Sequence, residues 1–258
     1  MDEWIHFQYA IYYLPSPSMA PSIALQKALS DNQASPTRVD VMPDEPGAAL
    51  VCARLSEDVQ ESYAPPDMES LRYFGRGLTR GQAIQLQSCR QAFILDFGHP
   101  RAVVWDALRQ ANLIAESVAG ETGGLIWDEQ TREVFTPAEW HKKRIESWPD
   151  AVPDVSDHFT IHCYRSGEYV RAITMGMSKV GLPDVVVEEF SWSSNRTVGI
   201  LMNLFCQAIA EGGVAGKAGE FDLDLSAIQN RKVRDAQIEA LKPNATSVAL
   251  LTVSLGEG

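Results

Sequence analysis

Cysteine, histidine, basic charge and long apolar runs are all scarce in this 258-residue chain, and each scarcity removes a class of function. The four cysteines, Cys52, Cys89, Cys163 and Cys206, stand far apart, with no CxxC pair and with apolar neighbours such as Val51, Ile161 and Phe205. Isolated buried thiols are expected there, not a disulfide framework or a zinc knot. Of the five histidines, His158 and His162 share one face of an expected strand. Four residues at about 3.3 Å each set their backbones roughly 13 Å apart. Donor atoms on one zinc ion lie only about 3 to 4 Å apart, so no metal is expected. No run approaches the roughly 20 apolar residues that span a bilayer. The opening MDEWIHFQYAIYYL has acids where a secretory leader needs bases, which together predict a cytoplasmic chain with no membrane partner.

Motifs for cofactors and nucleophiles are missing as well. The sequence has no GxSxG, and Ser191, Ser193 and Ser194 read as helix-entry residues. Gly75, Gly77 and Gly81 are spaced GxGxxxG, which is neither the dinucleotide fingerprint nor a P-loop. A turn before a helix capped by Thr79 accounts for them. No cofactor is expected, and the reading leans away from an enzyme.

Lysine and arginine number 22 against 34 aspartates and glutamates, for a formal net charge of −12. Up to Ser70, eleven acids (Asp2, Glu3, Asp31, Asp40, Asp44, Glu45, Glu57, Asp58, Glu61, Asp67, Glu69) face three bases (Lys27, Arg38, Arg54), a net of −8. A nucleic-acid binder must place cations on phosphates, so DNA and RNA are poor partners. An acidic stretch of this kind serves solubility or docks a basic protein. With 45% hydrophobic and 22% charged residues, the chain has the balance of an ordinary globular protein able to bury one large core or two modest ones.

Along the chain, HFQYAIYYL predicts a strand, SIALQKALSD a helix, and TRVDVM and AALVCARLS two further strands parted by the turn cluster PDEPG. Residues 1–70 thus form a small acidic β-α-β-β unit, with 71–258 as the main α+β domain, the two being able to pack as one globule. QAFILDFGHP reads as a central buried strand. It leads into a long amphipathic helix with Val104, Leu108, Ala111 and Ala115 on one face. GLIWDEQTREVF is strand, turn, strand about Asp128 to Thr131. In TPAEWHKKRI, Thr136, Pro137 and Glu139 spell a capping box, and the following HKKR reads as an exposed basic helix face. A hairpin at Ser166-Gly167, the strand DVVVEEF, a helix from SWSSNR, and a final strand, helix and strand complete the order. Crossovers mixed with hairpins predict an α+β fold, with mostly antiparallel sheets, helices on one side and a ferredoxin-like flavour. A weak similarity between an early and a later unit suggests two related halves.

Among candidate site residues, Glu188 and Glu189 point to opposite faces of a strand and form no dyad unless the strand bulges. Asp222 and Asp224 share a face, as an edge strand with one wet side requires. The richest cluster surrounds GMSKVGLPDVVVEEFSWSSNR, where Lys179, Asp184, Trp192, Ser194, Asn195 and Arg196 are the candidate ligand-binding residues. Helix-terminal amides with Lys179 and Arg196 would suit an anion, and tryptophan with arginine is interface composition. His99, at a strand end after Asp96, is the acid/base candidate for that case.

YFGRGLTRGQA, LDFGHP, TGGLIWDEQTREVFTPAEWHKKRIESW, PDVSDHFTIH, GEYVRAITMGMSKVGLPDVVVEEFSW and VGILMNLFCQA together resemble a bacterial protein family, some of whose members carry an appended YegJ-type domain beyond the matching region. The likeness covers roughly residues 70–212, and it implies no reaction, cofactor or catalytic residue. The expected function is a non-enzymatic interaction or regulatory module for a basic protein partner, of which an immunity-like protein is one form. The alternative is an enzyme or sensor acting on a small anionic ligand.

Overall fold

A computed structural model describes residues 4–14, 16–31, 36–148, 151–212, 214–215, 222–223, 235 and 253–255. The chain forms two compact units: Met1–Glu146 with Lys179–Gly181, and Ser147–Ser178 with Leu182–Gly258. The division expected near residue 70 falls instead after Glu146. The reason is strand pairing, since segments from both sides of residue 70 hydrogen-bond in one sheet.

In the first unit, β1 (Trp4–Tyr12), α1 (Pro21–Ser30), β2 (Thr37–Val39) and β3 (Leu50–Ser56) precede the short helices α2 (Val59–Ser62) and α3 (Leu71–Phe74). Then come β4 (Gly75–Arg76), α4 (Arg80–Gln87), β5 (Ala92–Pro100), α5 (Val104–Thr122), β6 (Leu125–Asp128), β7 (Glu133–Phe135) and α6 (Pro137–Trp140). The sheet order is β2-β3-β5-β1-β6-β7-β4. Its centre, β3-β5-β1-β6, is antiparallel throughout, while β2 and β4 join the two edges by parallel pairing. The path β1-α1-β3-β5-α5-β6 with that strand order is the split β-α-β arrangement of ferredoxin-like folds. The fold is α+β, with a mixed and mostly antiparallel sheet.

β1 shows how period-two patterning builds the layers. Ile5, Phe7, Tyr9 and Ile11 are buried on one face, where Tyr9 reaches Asn112 of α5. Ala10 and Tyr12 are buried on the other, in a cluster with Val59, Leu71, Ala83 and Leu86 from α2, α3 and α4. The long helices α1 and α5 therefore line one side as expected, and the short helices cover one end of the opposite side. Each large apolar side chain so buried stabilises the unit by about 1.5–3 kcal/mol.

Local signals set the helix ends. Thr79 and Gln82 close a reciprocal capping box on α4: the Thr79 hydroxyl accepts from Gln82 N at 3.2 Å, and Gln82 Oε1 accepts from Thr79 N at 2.9 Å. Thr136 likewise accepts from Glu139 N at 3.3 Å and starts α6 behind Pro137. Gly77 lies beside that cap at φ +73°, where an added Cβ would come within 2.5 Å of Glu139 Cγ and 2.7 Å of Thr136 Oγ1. The glycine spacing thus serves close packing, as the turn reading requires.

The second unit has a sheet ordered β13-β10-β9-β8, built from β8 (Thr160–Ser166), β9 (Tyr169–Met175), β10 (Val185–Phe190) and β13 (Val253–Leu255). The helix α7 (Asn195–Ala210) and a small pair, β11 (Val214–Ala215) with β12 (Asp222–Leu223), accompany it. The hairpin turns on Gly167 and Glu168, one residue later than expected. His158 lies before β8, at the end of a 3₁₀ turn, so it does not share a strand with His162. β10 does bulge: its pairing register shifts between Val187 and Phe190, and Glu189 takes φ +53°. Asp224 and the expected helix VRDAQIEALKP, apart from Asp235, lie outside the described residues. Among the described residues, no helix is long and apolar enough to cross a membrane.

Candidate functional site

The residues expected to gather round the Gly/Pro segment are divided between the two units. Lys179 groups with the first unit and is 1% exposed. In the second unit, Asp184 Oδ1 accepts from the Thr174 hydroxyl at 3.0 Å and from Met177 N at 3.3 Å, so its carboxylate shapes the turn after β9. Ser194 precedes α7 without a side-chain cap, Asn195 is the helix's first residue, and Trp192 and Arg196 are exposed. Trp192, Ser194, Asn195 and Arg196 therefore remain neighbours at one helix end. Lys179, the expected anion contact, is a correction: its ammonium is enclosed and held by a carboxylate.

That carboxylate is Asp128. Lys179 Nζ donates to Asp128 Oδ2 at 2.5 Å, and Arg144 Nη2 donates to the same oxygen at 3.0 Å. Arg144 Nη2 also reaches Glu133 Oε2 at 3.3 Å, and the other oxygen of Glu133 accepts from Arg76 Nε at 2.6 Å. Asp128 and Glu133 stand on the β6-β7 hairpin as a directly opposed pair. Arg76 comes from β4, and Arg144 from the π-type turn His141–Ile145 that follows α6. Its extra residue per turn brings Arg144 inside, so part of the expected exposed HKKR face is core. The guanidinium lies 4.8 Å from the ring centre of Phe135 and 5.5 Å from that of Trp140. Asn112 completes the wall, accepting from the Tyr9 hydroxyl at 2.8 Å while its backbone oxygen accepts from Trp140 Nε1 at 3.0 Å.

Electrostatics follow from this sharing. Burial pushes the Asp128 carboxyl up, but Lys179 and then Arg144 outweigh it and hold the group below the usual carboxylate range. Burial drives Lys179 down to about 8, against the pull of Asp128 and with help from Arg144. Both partners of one ion pair move down because Asp128 has two cations while Lys179 has part of one carboxylate. Tyr9 is pushed well up, first by burial and then by Asp128. Asp128, Glu133, Arg144 and Lys179 are buried while Arg76 reaches the surface, so the cluster's inner four groups are placed for structural work.

His99 is buried at the end of β5, with Nδ1 on the Pro100 carbonyl oxygen at 3.1 Å and its ring edge-on to Phe7. Its surroundings are those of a core residue, and burial lowers its pKa. Among the described residues, no group of three or more His, Cys, Asp or Glu could hold a metal ion.

On the outside of the first unit, Asp40, Asp44, Glu45, Glu57, Asp58, Asp67 and Glu69 are exposed. They bracket β3, a strand about 23 Å long. Val41 (80% exposed), Leu55 and Met68, interspersed with them in the sequence, are exposed apolar side chains. The bases nearby include Arg38, Arg72 and Arg90, which are exposed, and Arg54, whose guanidinium is engaged by Asp96 and by the Tyr63 hydroxyl; Arg90 lines a cavity with Glu57, and Arg72 follows Glu69 in the α3 turn. Gln8 also bonds Asp96, making a polar row across β1, β5 and β3. Sequence reasoning missed the Asp128, Glu133, Arg144 and Arg76 constellation. The one available signal was alternation in WDEQTREV, which places Asp128 and Glu133 at matching ends of a hairpin.

No family model, no curated protein and no solved structure matches the chain.

Proposed function

We propose that this chain is a cytoplasmic, non-enzymatic interaction module that takes a basic protein partner on the acidic surface of its first unit. The observation that carries the reading is that the carboxylates flanking β3 along the chain are exposed, as are Val41, Leu55 and Met68. Charge of one sign steers a basic partner and accelerates encounter, and the apolar side chains supply contact area that charge alone lacks. The experiment is a pull-down with the purified chain at low and high salt, repeated with the variant Asp40→Lys/Asp44→Lys/Glu45→Lys. One stoichiometric basic protein, released by salt and lost on charge reversal, is expected. Equal retention by the charge-reversed variant, or no capture at either salt, would refute it.

The second reading is a small-anion site at the start of α7. The side chain of Ser194 leaves the first helical turn uncapped, and Arg196 stands exposed beside it. Lys179 no longer contributes. This reading expects an anion to raise the melting temperature and Arg196→Glu to abolish that rise; no shift in the unmutated chain removes it.

A further inference from the structure

Lys179–Gly181 is a three-residue piece of chain that belongs to the first unit although its neighbours on both sides, Ser178 and Leu182, belong to the second. Lys179 and Gly181 each make a polar contact that holds it, and Val180 between them is buried. One contact is Lys179 Nζ on Asp128 Oδ2, and the other is Arg101 Nη1 donating to the Gly181 carbonyl oxygen at 2.6 Å. Gly181 sits at φ +67°, where an added Cβ would lie 2.8 Å from Ile5 Cδ1, so the segment fits closely. The charged groups facing Lys179 are Asp128 from β6, Glu133 from β7 and Arg144 from the π-type turn, with Arg76 of β4 behind Glu133. Tyr9 of β1 presents its ring 6.0 Å from Nζ, and Asn112 of α5 is neutral. His99 of β5 faces Phe7. With Lys179 protonated, this group of five holds three cations and two anions.

We propose that Lys179–Gly181 is a proton-controlled catch, held more weakly in the first unit while Lys179 carries its proton and more firmly once that proton is lost. The geometry supplies the reason: Lys179 and Arg144 share one oxygen of Asp128, and arginine cannot shed its charge, so lysine is the cation that can. A neutral amine still donates a hydrogen bond to Asp128, while the excess positive charge is gone. Burial acts in the same sense, lowering Lys179 to about 8 from 10.5. A released segment returns Lys179 to water and to its ordinary affinity for the proton. Proton binding therefore favours release, and rising pH favours retention. This inference is independent of the basic-partner reading.

Hydrogen exchange of the full chain tests it, read on the peptide covering Met177–Leu182 and corrected for intrinsic exchange rates. Wild type is expected to gain about tenfold in protection between one pH unit below and one unit above the Lys179 value of about 8. Lys179→Met, permanently neutral, is expected to be flat and well protected; Lys179→Arg, permanently charged, is expected to be flat and poorly protected. A flat or falling wild-type profile overturns the catch, as does an unchanged slope in Lys179→Met. Wild-type protection equal to that of α5 peptides also overturns it, since the segment would then open only when the whole unit unfolds.

Discussion

Asp128→Asn removes one charge from the place where two buried cations meet it, and its cost can be worked out from the cluster. Asp128 is fully buried, and the side chains of Lys179 and Arg144 are each 1% exposed. Arg144 keeps Glu133 as a counter-charge at 3.3 Å, whereas Lys179 loses its direct carboxylate. The lysine must then stay charged without that partner or give up its proton. Deprotonation costs about 1.4 kcal/mol per pH unit, so for Lys179, already lowered to about 8 in the fold, giving up the proton at neutral pH adds about 1.4 kcal/mol to what the wild type carries. Removing one partner of a buried pair costs about 3–5 kcal/mol, and the remainder is the lost ion pair itself. Folded domains hold only about 5–15 kcal/mol in reserve, so the loss will be large. Urea unfolding followed by tryptophan fluorescence reads it, because Trp127 and Trp140 are both buried in this unit. The decisive comparison is Asp128→Asn/Lys179→Met, where the stranded ammonium is gone. The double variant should recover about 2 kcal/mol or more relative to Asp128→Asn. If single and double variants unfold at the same urea concentration, the lysine is not where the cost lies, and the shared-carboxylate account fails.

Two further perturbations probe the frame. Gly77→Ala puts a Cβ 2.5 Å from Glu139 Cγ at a backbone φ of +73°, and should lower stability by about 1–3 kcal/mol in thermal unfolding. An unchanged melting temperature would show that the Thr136 cap yields easily. Gln207→Leu removes the acceptor for Val155 N and the donor to the Pro153 carbonyl oxygen, both at 3.0 Å in the second unit. It should cost about 2–3 kcal/mol and speed exchange of the Val155 amide; an unaltered amide would refute the assigned bond.

Much of the element order was legible because local chemistry specifies it. The alternation of β1, the Thr79 and Thr136 caps and Gly123 in the left-handed region beyond α5 are each written in a few adjacent letters. Pairing was not. β1 bonds β5 from Trp4 opposite Pro100 to Tyr12 opposite Ala92, a separation along the chain that no short window contains. A boundary placed at residue 70 by composition and linker character therefore cut through a sheet that draws strands from both sides.

The candidate site illustrates a second limit. Charged letters read as surface unless a partner is in view, and the partners of Arg144 come from the β6-β7 hairpin. HKKR gives no local sign that its arginine differs from its lysines, because the difference is made by a π-type turn and by two carboxylates upstream. Lys179 deceived in the opposite direction. Glycines and a proline around it suggested an exposed, adaptable loop, yet Gly181 supplies the close approach to Ile5 that accompanies the enclosed lysine. The same two letters, lysine between glycines, serve either an open anion site or a buried ion pair. What decides between them is whether an aspartate of matching depth waits in the sheet, and here Asp128 does.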